Sequence, residues 1–337
     1  MQSNNIQDQN IANETDYAKY LYAKGILPGP IKCSCNNTYF TIQNDANNIT
    51  SGCCFRCHNS KCRKKYPIRI NSFFSKFPYQ KLGVISEIIN CFLNYEYNSS
   101  KALKYLQESK HLTISKTIIL KVYKEIRYVI YRYLYISYQT EPLGEFNKNQ
   151  YFSVDESLFS HRNGKQIWIL GIINNSSKDF RLEGSYKRDA RTLESFIKKF
   201  VQNGNNIITD GWSGYDFLAR PNSGYIRYKH IHGGGDFGYG VQSTSHIESI
   251  WNSIKNKIKS TYGVIPKKNL IKFIRDAEYK FINRMKTFNE KIVDFFECFS
   301  FLNDVADVEF NDNLFLSDSE DSYSDDSSSE ENNSLDN

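Results

Sequence analysis

No stretch of the 337 residues is apolar for long enough to span a bilayer, and the opening MQSNNIQDQN carries neither the basic nor the apolar part of a secretory leader. A membrane protein is therefore not expected, and the chain is expected inside the cell. A second absence concerns charge: between Ile292 and Asn337 there are 14 Asp or Glu residues and no Lys or Arg. The formal net charge of +6 thus hides a split, because residues 1–291 hold 43 basic and 23 acidic residues, a net of +20. So basic a body suits a polyanion, since each neutralised phosphate releases counterions, although a basic domain can also be merely soluble. A third absence is histidine spacing: His111, His161, His230, His232 and His246 form no metal-ligand pattern.

What is present is enough apolar residue, 40%, to fold a substantial domain with smaller modules. Residues 1–30 are polar and Asn-rich and are expected to form a flexible arm. Six of the eight cysteines crowd into residues 33–62. In an intracellular protein that clustering favours metal binding over disulfides, and 31–78 is expected as a small module. Residues 79–140 recur on a helical period in three segments, LGVISEIINCFL, KALKYLQESK and ISKTIILKVYKEIRYVIYRYL. A helix-turn-helix-like module fits them, as does an ordinary helical bundle. Residues 291–315 are expected as a C-terminal extension and 316–337 as a disordered acidic tail.

Between these lies a region with a different rhythm. YFSVD (151–155), QIWILGIIN and KDFRLEG are strand-like, a helical stretch follows from Thr192 to Phe200, and the strand NIITD ends at Asp210. The order β-β-β-α-β predicts a mixed α/β domain over 148–290, in which the first and fourth strands can be neighbours. Asp155 closes the first of those strands and Asp210 the fourth, where α/β sheets tend to place ligands. Convergent carboxylates repel and call for a cation, with hard, oxygen-seeking Mg²⁺ or Mn²⁺ the natural choice. Glu248 lies on the helical segment SHIESIWNSIKNKIK, two turns before Lys255. Taken singly, each of the three acids fits an ordinary surface residue; together they fit metal-dependent phosphoryl transfer, which needs no nucleophilic side chain. Glu156, one residue past Asp155, is expected on the opposite face of its strand.

The segments VDESLFSHRNGK (154–165), IWILGII (167–173), RDARTLESFI (188–197), IITDGWSGYDFL (207–218), STSHIESIWNSIKNKIKSTYG (243–263) and LIKFIRDAEYKFINR (270–284) together resemble the insertion-sequence transposases with an ISXO2-like catalytic domain, the IS1595 group. The resemblance implies an RNase H-like mixed sheet whose catalytic, metal-binding acids are Asp155, Asp210 and Glu248, with Lys255 contacting DNA. It also implies cutting of double-stranded DNA at inverted-repeat ends and joining to target DNA, by a homodimer or higher oligomer. Where the family reads H-T-N, this chain reads Ser243-Thr244-Ser245, so a derivative that binds DNA without cutting is the alternative. The compartment implied is the nucleus of a eukaryote or the cytoplasm and nucleoid of a bacterium.

The family often carries an N-terminal zinc ribbon. Phe55-Arg-Cys57-His-Asn-Ser-Lys-Cys62 resembles its second knuckle, whereas Cys33-Ser-Cys35 has one intervening residue in place of two. Zn²⁺ on Cys33, Cys35, Cys57 and Cys62 is the expected set. Cys53 or Cys54 could substitute, His58 less readily, and Arg63, Lys64 and Lys65 would lie over phosphates.

Overall fold

Asn13 accepts the backbone N–H of Thr15 and so starts helix α1 (Glu14–Ala23). Part of the expected flexible arm is therefore ordered. Tyr17, Ala18 and Leu21, on one side of α1, are buried together with Ile26 and Leu27 just beyond it. Glu14 is drawn in as well, accepting the N–H groups of Leu82 and Gly83 at the start of a later helix, where orphan amides favour an anion. In this computed structural model the described residues are 13–47, 51–146, 148–162, 165–230, 244–262 and 267–305. The expected acidic tail, Ser243 and His232 lie outside them.

Three short antiparallel strands follow, β1 (Phe40–Asn44), β2 (Cys53–Cys57) and β3 (Lys65–Pro67), with β2 central. Next come α2 (Leu82–Leu93), α3 (Ser99–Glu108) and α4 (Lys116–Thr140), three helices where the helical period predicts three. Helix α2 is apolar nearly all round and is buried over most of its length. Asn98 caps α3 by accepting the Lys101 N–H at 2.8 Å.

The remaining elements are β4 (Tyr151–Arg162), β5 (Lys165–Asn174), β6 (Phe180–Ser185), α5 (Ala190–Phe200), β7 (Asn206–Thr209), β8 (Ile226–Lys229), α6 (Ser245–Tyr262), α7 (Lys267–Ile282) and α8 (Phe288–Asp304). The five strands form one mixed sheet in the order β6-β5-β4-β7-β8, the RNase H-like topology. β4, β5 and β6 pair antiparallel, whereas β7 runs parallel to both β4 and β8. Alternation sorts the strand residues onto two cores. Phe152, Val154, Leu170 and Ile172 join one core with Leu193, Phe196 and Phe200 of α5. Ile167, Ile169 and Ile173 join the other with Ile247, Ile250, Trp251 and Ile254 of α6 and Ile274 of α7.

The helices before the sheet are not a separate body, because their core is continuous with the α5 face of the sheet. Helix α4 meets α7 through buried charge. Arg127 of α4 pairs with Asp276 at 3.4 Å, and Lys280 holds the other oxygen of Asp276 at 3.1 Å. Farther along α4, Tyr138 donates to Glu278, which also pairs with Arg275 at 2.6 Å.

Residues 291–304, expected in a C-terminal extension, belong instead to α8, which starts at a capping box between Thr287 and Glu290. Its aromatic side is the reason it folds back: Phe295, Phe296 and Phe299 lie 5.2, 6.4 and 5.8 Å from Phe73, centroid to centroid. Among the described residues no helix is long and apolar enough to cross a membrane.

Candidate active site

Asp155 lies on the side of β4 that α6 covers, and its Cα is paired with that of Gly171 on β5. The missing side chain at Gly171 matters here. A Cβ would come within 2.5 Å of the Trp251 ring and 2.9 Å of Ile247. Without it, the indole of Trp251 lies against the strand and its Nε1–H donates to Asp155 Oδ2 at 2.9 Å.

Asp210 follows β7 directly. Tyr151, Phe152 and Ser153 pair with Asn206, Ile207 and Ile208, and continuing that parallel register by two residues sets Asp155 level with Asp210. The Trp212 backbone N–H donates to Asp210 Oδ1 at 3.0 Å. Arg227 of β8 donates to the carbonyls of Asp210 and Trp212 at 3.3 and 3.1 Å, tying this loop to the sheet.

Glu248 stands in the first turn of α6. Thr244 is buried just before the helix, and its hydroxyl donates to Glu248 Oε1 at 3.2 Å. The Thr244 carbonyl accepts the N–H groups of Ile247 and Glu248, so one residue both starts the helix and orients its acid.

The Asp155 carboxyl is held above the usual carboxylate range. Burial is the chief cause; the charges of Asp210 and Glu248 add to it, while the Trp251 indole and the Glu156 N–H oppose it. The fold thus brings the middle of β4, the end of β7 and the start of α6 together in one anionic region; Asp155 does not close its strand as expected, because pairing with β5 carries β4 on to Arg162. Among the described residues the thiols of Cys33, Cys35, Cys57 and Cys62 are the group drawn to within 4.8 Å of one another, so the three acids stand less tightly together than those four sulfurs. An oxygen-only donor set whose members repel one another suits a hard divalent cation.

Lys255, two turns along α6 from Glu248, is exposed, with Nζ 5.3 Å from the Phe159 ring. Glu156 leaves the opposite face of β4, as alternation predicts. It accepts the Tyr215 hydroxyl at 2.5 Å and Arg188 Nη1 at 3.2 Å.

The cysteine cluster resolves the alternatives left by spacing. Sγ of Cys33 is 3.6 Å from that of Cys62, and Sγ of Cys35 is 3.6 Å from that of Cys57. Four sulfurs at about 2.3 Å from a tetrahedral zinc stand about 3.8 Å apart, so the set fits the ion. Donors surround the sulfurs: Tyr66 Oη reaches Cys33 at 3.2 Å, Asn37 Nδ2 reaches Cys57 at 3.4 Å and Asn59 Nδ2 reaches Cys35 at 3.7 Å. The one-residue spacing is accommodated by a turn in which the Asn36 N–H donates to the Cys33 carbonyl, with Asn36 at φ 67°. Cys53 and Cys54 are buried on β2 outside this set, and His58 is exposed. All three cations after Cys62, Arg63, Lys64 and Lys65, are exposed, and Lys65 also forms an ion pair with Asp45 at 2.9 Å.

Residues 153–281 match the model of the ISXO2-like transposase domain. Among solved structures the chain is similar to the HTLV-2 integrase catalytic core domain in complex with magnesium, trimeric form. That match has 15% identity, covers 42% of this chain and 90% of that one, and has a TM-score of 0.29. The catalytic core domain of BIV integrase matches at 12% identity over 41% of this chain and 86% of that one, also with a TM-score of 0.29. No curated protein matches the chain.

The geometry around the three acids rests on residues that sequence patterns do not single out. Gly171 sits inside an apolar strand with no mark of its role. Trp251 belongs to the apolar stripe of α6, and only its place three residues after Glu248 could have suggested a polar duty. Thr244 lies at the one family position retained between Ser243 and Ser245.

Proposed function

We propose that the protein is a DNA transposase that cuts element ends and joins them to target DNA, with Asp155, Asp210 and Glu248 as its metal-holding acids. The observation that carries this reading is the convergence of three acids from three elements, with Asp155 repelled by the other two. When bound, Mg²⁺ or Mn²⁺ would supply the Lewis acidity that activates water or a terminal 3′-hydroxyl and steadies the departing oxygen. The chain supplies the positioning: Trp251 fixes one oxygen of Asp155, the Trp212 N–H fixes one of Asp210, and Thr244 orients Glu248. Lys255 is placed to meet a phosphate of the same DNA strand, and Arg63 and Lys64 to meet others beside a zinc module held by Cys33, Cys35, Cys57 and Cys62. Two element ends must be held at once, so the working form is a homodimer or larger; a monomeric end complex by light scattering would count against that. The protein acts wherever the host keeps its DNA, in the nucleus of a eukaryote or the cytoplasm and nucleoid of a bacterium.

Nicking of supercoiled plasmid in Mn²⁺ tests the reading. Asp155→Asn and Asp210→Asn are expected to lose about 10³-fold in rate, since the charge stabilisation at stake is several kcal/mol and each 1.4 is tenfold. Equal nicking by both variants and the parent would sink the assignment. A second reading rests on Ser243 and Ser245, which replace the family's His and Asn: a derivative that binds DNA without cutting it. Duplex binding without cleavage, on DNA carrying the element's own ends, favours that reading.

A further inference from the structure

On the face of the sheet opposite Asp155, the guanidinium of Arg188 lies between two tryptophan rings. Its Cζ is 4.3 Å from the Trp168 centroid and 4.5 Å from that of Trp212. The Trp212 ring is itself wedged in place, since a Cβ on Gly214 would meet it at 2.4 Å. Arg188 Nη1 donates to Glu156, whose side chain is only 4% exposed, yet the Arg188 side chain remains 44% exposed. Pairing with Glu156 does not account for this arrangement. Glu156 already receives the Tyr215 hydroxyl at 2.5 Å, and a guanidinium carries five N–H donors of which the carboxylate takes one. Two aromatic rings lie against the group, so part of the side-chain freedom a flexible cation loses on binding is already lost. Glu156 adjoins Asp155 and Trp212 follows Asp210 by two residues, so Arg188 and its two tryptophans stand beside the acids in register, on the other face of the sheet.

We propose that Arg188 is a DNA-positioning residue that grips a phosphodiester of the strand held at the carboxylates. The claim deepens the proposed reading of that site and rests on it. A planar guanidinium fork matches two phosphate oxygens, which a lysine point charge does not. Trp168 and Trp212 are two of the chain's three tryptophans, and the third, Trp251, is buried at 5% exposure. Quenching of the protein's fluorescence by acrylamide therefore reports mainly on the stack.

The experiment uses the full chain carrying Asp155→Asn, so that the duplex stays uncut, and measures affinity for a labelled duplex over a salt series. Adding Arg188→Gln is expected to lower the slope of log affinity against log salt by about 0.9, the loss of one phosphate contact, with Arg188→Lys restoring most of the slope. In the Asp155→Asn chain, duplex binding is expected to shield the tryptophans from acrylamide. An unchanged slope in a folded Arg188→Gln protein, or tryptophans equally open with and without duplex, overturns the proposal; the second measurement decides even if Arg188→Gln fails to fold. If the Asp155→Asn chain binds no duplex at all, the DNA reading of the whole site falls, a result distinct from a normal affinity with an unaltered slope.

Discussion

The four-sulfur cluster and the three-acid region solve opposite problems with ionisable side chains. The thiols come from one short stretch, residues 33–62, and are drawn within 4.8 Å of one another, with side-chain donors on three of the four. The acids come from positions nearly a hundred residues apart, repel one another and stay partly open. Closure suits an ion that holds a small sheet together, and openness suits one that must meet a substrate. The first site depends on local turns; the second depends on the register of an entire sheet and the seating of a helix upon it.

The comparison can be broken at either end. The largest effect is expected from Cys57→Ser, which removes a sulfur shared by the cluster and β2. Structural zinc contributes on the order of 10 kcal/mol to small modules, so the variant should lose bound zinc and melt the β1–β3 sheet, as read by metal analysis and thermal denaturation. Full zinc content in a folded variant would refute the four-sulfur assignment. Next is Gly171→Ala. The new methyl must displace the Trp251 ring or Ile247, at a cost of about 1–3 kcal/mol, with nicking falling alongside stability. Trp251→Phe sharpens the point: it keeps the bulk but removes the hydrogen bond to Asp155, worth about 1.5–3 kcal/mol to a charged acceptor. Its nicking rate should fall about tenfold or more with a smaller change in melting temperature, and a rate equal to the parent's would show that the indole merely packs. The smallest effect belongs to the tail. Deleting residues 316–337 removes clustered negative charge that competes with phosphates, and should raise non-specific duplex affinity several-fold at low salt and little at high salt.

Much of this arrangement was legible in the sequence because it follows from period and chain order. Alternation from Tyr151 to Asp155 assigned faces to Asp155 and Glu156, and β-β-β-α-β order made neighbours of the first and fourth strands. The four-sulfur cluster was legible only as a short menu, since spacing cannot distinguish Cys35 from Cys54; a turn at Asn36 brings Cys33 and Cys35 into position together. What could not be read were long-range contacts made by unremarkable residues. Tyr17, Ala18 and Leu21 are a thin apolar stripe in a polar stretch, and nothing near them names α2 as their partner. Phe295 and Phe296 stand in a segment whose acidic charge drew attention away from its aromatics, yet they close over Phe73. Gly171 works by what it lacks.

The buried ion pair and hydrogen bond between α4 and α7 carry a consequence for how such a protein can be divided. Asp276 and Glu278 lie inside the segment that matches the transposase domain, but Arg127 and Tyr138, which satisfy them, lie before it. Excising residues 153–281 would open both carboxylates, now fully buried, to water and leave them only Lys280 and Arg275 of their own helix. The segment that matches the family model and the segment that contains the partners of its buried charges are different lengths of chain, and a crystallographer or engineer trimming to the first would be cutting through the second.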